Sequence, residues 1–202
     1  MENRSIYEDI AVRTEGDIYI GVVGPVRTGK STFIKSFMET MVLPRIDNVY
    51  LRERARDELP QSGSGRTIMT AEPKFVPEDA VNISLDESTH FNVRMIDCVG
   101  YMIESALGQL EGEAPRMVST PWFDHEVSLR EAAETGTQKV ITEHSTIGIV
   151  VTTDGTISEI PRAEYVPAEE RVVQELKQMN KPFAVLLNSV EPGGAETQKL
   201  RA

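Results

Sequence analysis

Three runs of nearly uninterrupted apolar residues punctuate the chain: 17–23 (DIYIGVV) before Gly24, 146–153 (TIGIVVTT) and 183–188 (FAVLLN). Runs this short, without polar alternation, predict parallel strands buried on both faces. After the first, Phe33, Ile34, Phe37, Met38, Met41 and Val42 recur at helical spacing and predict a helix that stops near Pro44. The mixed charges of 51–58 (LRERARDE) read as a solvated helix. Segments 82–85 and 91–97 predict an antiparallel pair joined by the polar turn DESTH. Ser128, with Glu131 three residues on, predicts a capped helix start. Pro167 reads as the first-turn proline of a later helix. Glu169 and Glu170 then fall at its positive end, and Val172, Val173, Leu176 and Met179 form its buried stripe.

Strands alternating with helices predict an α/β fold with a mostly parallel sheet, one antiparallel hairpin strand and helices on both faces. Residues 1–16, polar apart from Ile6 and Ile10, read as a short lead-in helix before a domain at 17–202. The glycine- and serine-rich stretch 60–66 (PQSGSGR) reads as a mobile link. The chain stops about fourteen residues after the third apolar strand, so the sheet or its covering layer is expected to be truncated there.

Composition narrows the function. With 40% hydrophobic residues the chain can bury a real core. Its 32 acidic against 21 basic residues, net −11, argue against nucleic acid as a partner and against attraction to anionic lipid. No apolar run nears the roughly 18 residues of a membrane helix, so no direct membrane insertion is expected. The N-terminus lacks the apolar stretch of a secretory signal. One cysteine, Cys98, excludes an internal disulfide framework and reads as a small hydrophobe. His90, His125 and His144 share no ligand spacing with it. The eight methionines read as core. Trp122 is a loop anchor or an exposed contact, the anchor being preferred.

The chemistry lies in 24–32 (GPVRTGKST), which fits G-x-x-x-x-G-K-[ST] between a buried strand and an amphipathic helix. Gly24 and Gly29 let the backbone of Pro25, Val26, Arg27, Thr28 and Thr32 wrap phosphates at a helix N-terminus. Lys30 neutralises β- and γ-phosphate charge, and the Ser31 hydroxyl can ligate Mg²⁺. Asp97, at the end of an apolar strand, can hold the same Mg²⁺ through a water. Residues 97–100 (DCVG) also match D-x-x-G, in which the Gly100 N–H meets the γ-phosphate. A threonine just before the hairpin can close over the ion, with Thr70 preferred to Thr67. The expected metal set is therefore Ser31, Thr70 and Asp97.

This order of parts resembles the translation-factor-like branch of P-loop GTPases. Members of that branch read guanine with N-K-x-D, and here the matching residues are Asn188-Ser189-Val190-Glu191. The lysine is gone and the aspartate has become glutamate, so guanine selectivity should collapse and adenine becomes plausible. Asn188 keeps its place as a nucleotide-site residue. Many such GTPases also carry a water-orienting glutamine after D-x-x-G, where this chain has Tyr101. Some glutamine-lacking relatives hold potassium with an asparagine at the fourth loop position, where this chain has Arg27. Arg27 is either a built-in transition-state cation or a residue facing solvent or a neighbouring subunit.

Longer stretches, among them DELPQSGSGRTIMTAEPKFVP, PRMVSTPWF and EHSTIGIVVTTDGTI, closely resemble the stage IV sporulation protein A family. The resemblance implies an ATPase, with ATP and Mg²⁺, whose hydrolysis drives self-assembly into the basement layer of the spore coat. It implies a place in the mother-cell cytoplasm at the forespore surface. Its implied partners are further copies of itself, other coat proteins and a small membrane-bound sporulation peptide. A regulatory GTPase binding an effector or the ribosome is the rival, and a kinase is disfavoured because no arginine-rich lid helix follows.

Overall fold

Five strands form the central sheet of the computed structural model, which describes residues 17–60, 71–84 and 90–202. They are β1 (Asp17–Val23), β2 (Lys74–Ser84), β3 (His90–Asp97), β4 (Ile147–Thr153) and β5 (Phe183–Asn188), in the spatial order β2-β3-β1-β4-β5. β1 runs parallel to both β3 and β4, and β5 runs parallel to β4. β2 alone is antiparallel, paired with β3. The expected architecture is therefore present. The predicted lead-in helix, most of the predicted link, and both Thr67 and Thr70 lie outside the described residues.

Side-chain alternation along the strands divides the core into two layers. On one face Ile18 and Val22 of β1, Met95 of β3 and Val151 of β4 pack with Ile34, Met38 and Val42. Those three belong to helix α1 (Lys30–Phe37) and the π-helical turn that extends it, Met38–Val42. Helix α2 (Val49–Asp57), capped by the Asn48 side chain, adds Ala55 to the same layer. On the other face Val23, Ile96 and Val150 pack under α3 (Leu129–Lys139) and α4 (Arg162–Gln178). Ser128 caps α3 as expected, its hydroxyl accepting from the Glu131 N–H at 3.2 Å. A short helix, α5 (Ala195–Arg201), ends the chain.

Several expectations need correction. The hairpin's first strand begins at Lys74, eight residues early, because a register shift between Val76 and Val81 absorbs the polar residues that hid it. β5 is an edge strand whose Val185 is 52% exposed; β3, β1 and β4 hold the three interior positions of the sheet. The last long helix starts at Arg162, so Pro167 sits inside it and Glu164 occupies its first turn. Loss of one backbone hydrogen bond near one end is tolerable in 17 residues whose Tyr165, Val172 and Leu176 are buried. Met179 lies past the helix and is exposed, as are Met41 and Met117, so the methionines are not all core. Trp122 is an anchor: a Cβ added at Gly136 of α3 would come within 3.0 Å of its ring.

Candidate phosphate and metal site

The loop between β1 and α1 is shaped by close approaches that only glycine permits. Gly24 (φ +134°) lies so near β4 that a Cβ would stand 2.3 Å from the Val151 carbonyl oxygen. Gly29 (φ +92°) precedes α1 in the left-handed region, and no side chain caps the helix behind it. Among the described residues, the backbone N–H groups of Arg27, Thr28 and Gly29 make no backbone hydrogen bond. With no acidic residue in the first turn of α1, none of the helix's own side chains offsets the positive dipole at this end.

Two side chains complete the charge arrangement. Lys30 is 5% exposed, and its ammonium donates to the Pro25 carbonyl at 2.6 Å. Burial pulls its pKa below the ordinary value, partly offset by nearby Asp97. The Ser31 hydroxyl donates to Asp97 Oδ2 at 2.6 Å, while Asp97 Oδ1 is buried with no hydrogen-bond partner. Burial pushes the Asp97 carboxyl up despite the Ser31 bond and Lys30. A phosphate would relieve the first group and a cation the second. The orphaned oxygen beside a serine hydroxyl fits a Mg²⁺ held by Ser31 and Asp97.

The D-x-x-G segment is stapled to the loop. Tyr101 N–H donates to the Gly24 carbonyl at 3.2 Å, and Val26 N–H donates to the Tyr101 carbonyl at 2.9 Å. A Cβ at Gly100 (φ +93°) would stand 2.1 Å from the Gly24 oxygen and 2.7 Å from Lys30 Nζ. The Gly100 N–H, expected to face a γ-phosphate, here donates to Thr137 Oγ1 of α3 at 3.1 Å. The Tyr101 side chain points away from the loop. Its hydroxyl donates to Glu175, and the Arg171 guanidinium stacks 4.0 Å from its ring centroid. Cys98 is buried, and burial raises its thiol to about 11, which suits an inert core residue.

The remaining expected residues occupy distinct places. Thr28 is fully buried and donates to the Pro25 carbonyl at 3.0 Å. Asn188 braces the loop by donating to the Thr28 carbonyl at 3.0 Å. Arg27 (φ +63°) lines a cavity of about 510 Å³ with Ser105, Ile160 and Glu164. Beside Asn188, Asp154 accepts from Thr156 and Thr197, and Glu191 N–H donates to Ser189 Oγ at 3.0 Å. Burial would raise the Asp154 carboxyl, but bonds from Ser189, Thr156 and Thr197 hold it below the usual carboxylate range. Thr137, Glu175 and Arg171 were invisible to motif reasoning, since each meets the site from at least 37 residues away.

The family described as stage IV sporulation protein A, ATPase domain, matches residues 1–202. Curated proteins named stage IV sporulation protein A are similar over nearly the whole chain. The one from Clostridioides difficile (strain 630) is 60% identical over 99% of this chain, and that from Bacillus anthracis 59% over 100%. The one from Bacillus subtilis (strain 168) is 56% identical over 100%. The chain spans 41% of the length of each of these relatives. Among solved structures, a crystal structure of "SsGBP mutation variant G235P" is 14% identical, with a TM-score of 0.43 over 94% of this chain and 44% of that one.

Proposed function

The chain belongs to the stage IV sporulation protein A ATPase-domain family, and from that premise we propose that it binds Mg²⁺–ATP and hydrolyses it. The observation that carries this reading is the pairing at the loop: a buried Lys30 ammonium beside a half-buried Asp97 whose Oδ1 is itself buried with no hydrogen-bond partner. Lys30 and the N–H groups of 27–29 would bind the phosphates, and Asn188 would hold the loop in shape. Ser31 and Asp97, joined by Thr70, would hold Mg²⁺, which when bound neutralises phosphate charge. Arg27 is the candidate for the cation that stabilises charge building between the β- and γ-phosphates. Tyr101, turned into the α4 contact, leaves the attacking water to other groups.

Family membership also supports a wider reading for the longer protein. Hydrolysis would drive self-assembly into the basement layer of the spore coat, in the mother-cell cytoplasm at the forespore surface. Other coat proteins and a small membrane-bound sporulation peptide would be its partners. Among the described residues no helix is long and apolar enough to cross a membrane.

The direct test measures phosphate release from ATP and from GTP by the purified chain, with Mg²⁺ and after EDTA. ATP turnover that EDTA stops is expected. GTP turnover far above ATP turnover would favour the regulatory GTPase instead, and no turnover of either would end the hydrolase reading.

A further inference from the structure

The Gly100 N–H has a protein partner where D-x-x-G chemistry wants a phosphate one. That partner, Thr137, is fully buried on α3, and its hydroxyl is engaged as donor and as acceptor, with Cys98 Sγ a longer neighbour at 3.7 Å. It donates to the Ala133 carbonyl at 2.8 Å and accepts from Gly100 at 3.1 Å. The helix carrying it is tightly seated, because a Cβ at the adjacent Gly136 would stand 3.0 Å from both the Ala71 carbonyl oxygen and the Trp122 ring. The acceptor is thus fixed in space.

Gly100, in contrast, can turn. Its φ of +93° is one of two states open to glycine. Turning the Val99–Gly100 peptide over by about 180° takes φ to about −87°, an ordinary value, and swings the N–H away from Thr137. The space beside Gly100 is already bounded by Lys30 Nζ and the Gly24 carbonyl oxygen, 2.7 and 2.1 Å from where a Cβ would stand, so little else need move for the N–H to reach a phosphate held by Lys30. The two orientations are exclusive, since one N–H cannot serve Thr137 and a γ-phosphate together.

We propose that Thr137 sets the balance between triphosphate and diphosphate by holding the Gly100 N–H whenever no γ-phosphate is present. The hydroxyl stabilises the empty and ADP-bound states and leaves the ATP-bound state untouched. It therefore lowers the ATP-over-ADP preference that the loop would otherwise show. This inference rests on the proposed ATP-binding reading. Thr137 is a positioning residue that acts through Gly100.

The test is nucleotide affinity in Thr137→Val, which keeps the side-chain shape and removes the acceptor. In the empty and ADP states the Gly100 N–H then stays buried without a partner. The affinity ratio of a non-hydrolysable ATP analogue to ADP should rise on the order of tenfold. Thr137→Ser, which keeps the hydroxyl, should hold the parental ratio. A parental ratio in Thr137→Val overturns the inference. Should that variant fail to fold, the Gly100 amide resonance of the parent decides. It should be alike in the empty and ADP-bound protein and move with the ATP analogue. One unchanged position in all three states overturns the role of Thr137. Failure of the parent to bind either nucleotide would instead bring down the ATP-binding reading.

Discussion

The phosphate-loop end of β1 and the Asn188 end of β5 are joined by the Asn188–Thr28 hydrogen bond, yet they are held together in different ways. At the loop, glycines press backbone against backbone, the Lys30 ammonium is buried against the Pro25 carbonyl, and the half-buried Asp97 carboxylate is held by the Ser31 hydroxyl. Beyond Asn188 the contacts are hydroxyl bonds converging on Asp154, in a cavity of about 610 Å³. Around that cavity Val190 is 67% exposed and Leu200 is 44% exposed. A phosphate is recognised by backbone N–H groups and one ammonium, so its site can be built from tightly packed main chain. A base must be recognised by side chains with free donors and acceptors, and here Ser189, Thr156 and Thr197 spend theirs on each other and on Asp154. Under the proposed ATP-binding reading, the difference predicts firm phosphate binding and a weakly specified base.

If that contrast is sound, the largest effect belongs to the phosphate end. Lys30→Ala removes a buried charge that the loop already surrounds, and ATP affinity should fall by at least about 10²-fold, given what desolvated charge-assisted bonds contribute. Fluorescent-nucleotide titration checks it. Parental affinity in the Lys30→Ala protein would erase the distinction between the two ends.

The same contrast explains what could be read from sequence. The placement of the loop 24–32 between strand and helix was legible because it follows from local spacing, an apolar strand leading into G-x-x-x-x-G-K-[ST]. Ser128 as a cap and the three parallel strands were legible for the same reason. Local signals failed where long-range packing decides. β5 has the composition of a buried strand but occupies an edge, and nothing in FAVLLN encodes its neighbours. Pro167 marks a helix start in isolation, yet the buried Tyr165 extends α4 upstream of it. Thr137 looks like an ordinary mid-helix threonine until the fold brings it against Gly100.

A smaller effect is expected at the loop's half-buried fourth position. Arg27 has no hydrogen-bond partner among the described residues, and its left-handed backbone turns it toward the cavity it shares with Ser105 and Glu164. If its guanidinium moves onto the β–γ bridge during hydrolysis, Arg27→Ala should lower turnover on the order of 10²-fold. ATP affinity should change only a few-fold. The parent should also be indifferent to exchanging potassium for sodium, because the cation is built in. An unchanged rate in Arg27→Ala, or a strong potassium requirement in the parent, would assign the transition-state charge elsewhere.

The smallest effect is expected at the base. Where a site is built to hydrogen-bond one substrate, an analogue lacking that group is rejected by about 10⁴–10⁵, because buried polar atoms are left unpaired. Among the described residues no such set stands beyond Asn188. Glu191 is exposed and carries one more methylene than the aspartate of N-K-x-D, and Ser189 Oγ is occupied by the Glu191 N–H and by Thr197. With no desolvated donor or acceptor reserved for either purine, ATP should be preferred to GTP by less than about tenfold, a difference near 1 kcal/mol. Competition of unlabelled ATP and GTP against one labelled nucleotide measures this ratio. A preference of 10³ or more in either direction would require a rigid base reader, and the loosely held Asn188 end would then have to close around the base on binding.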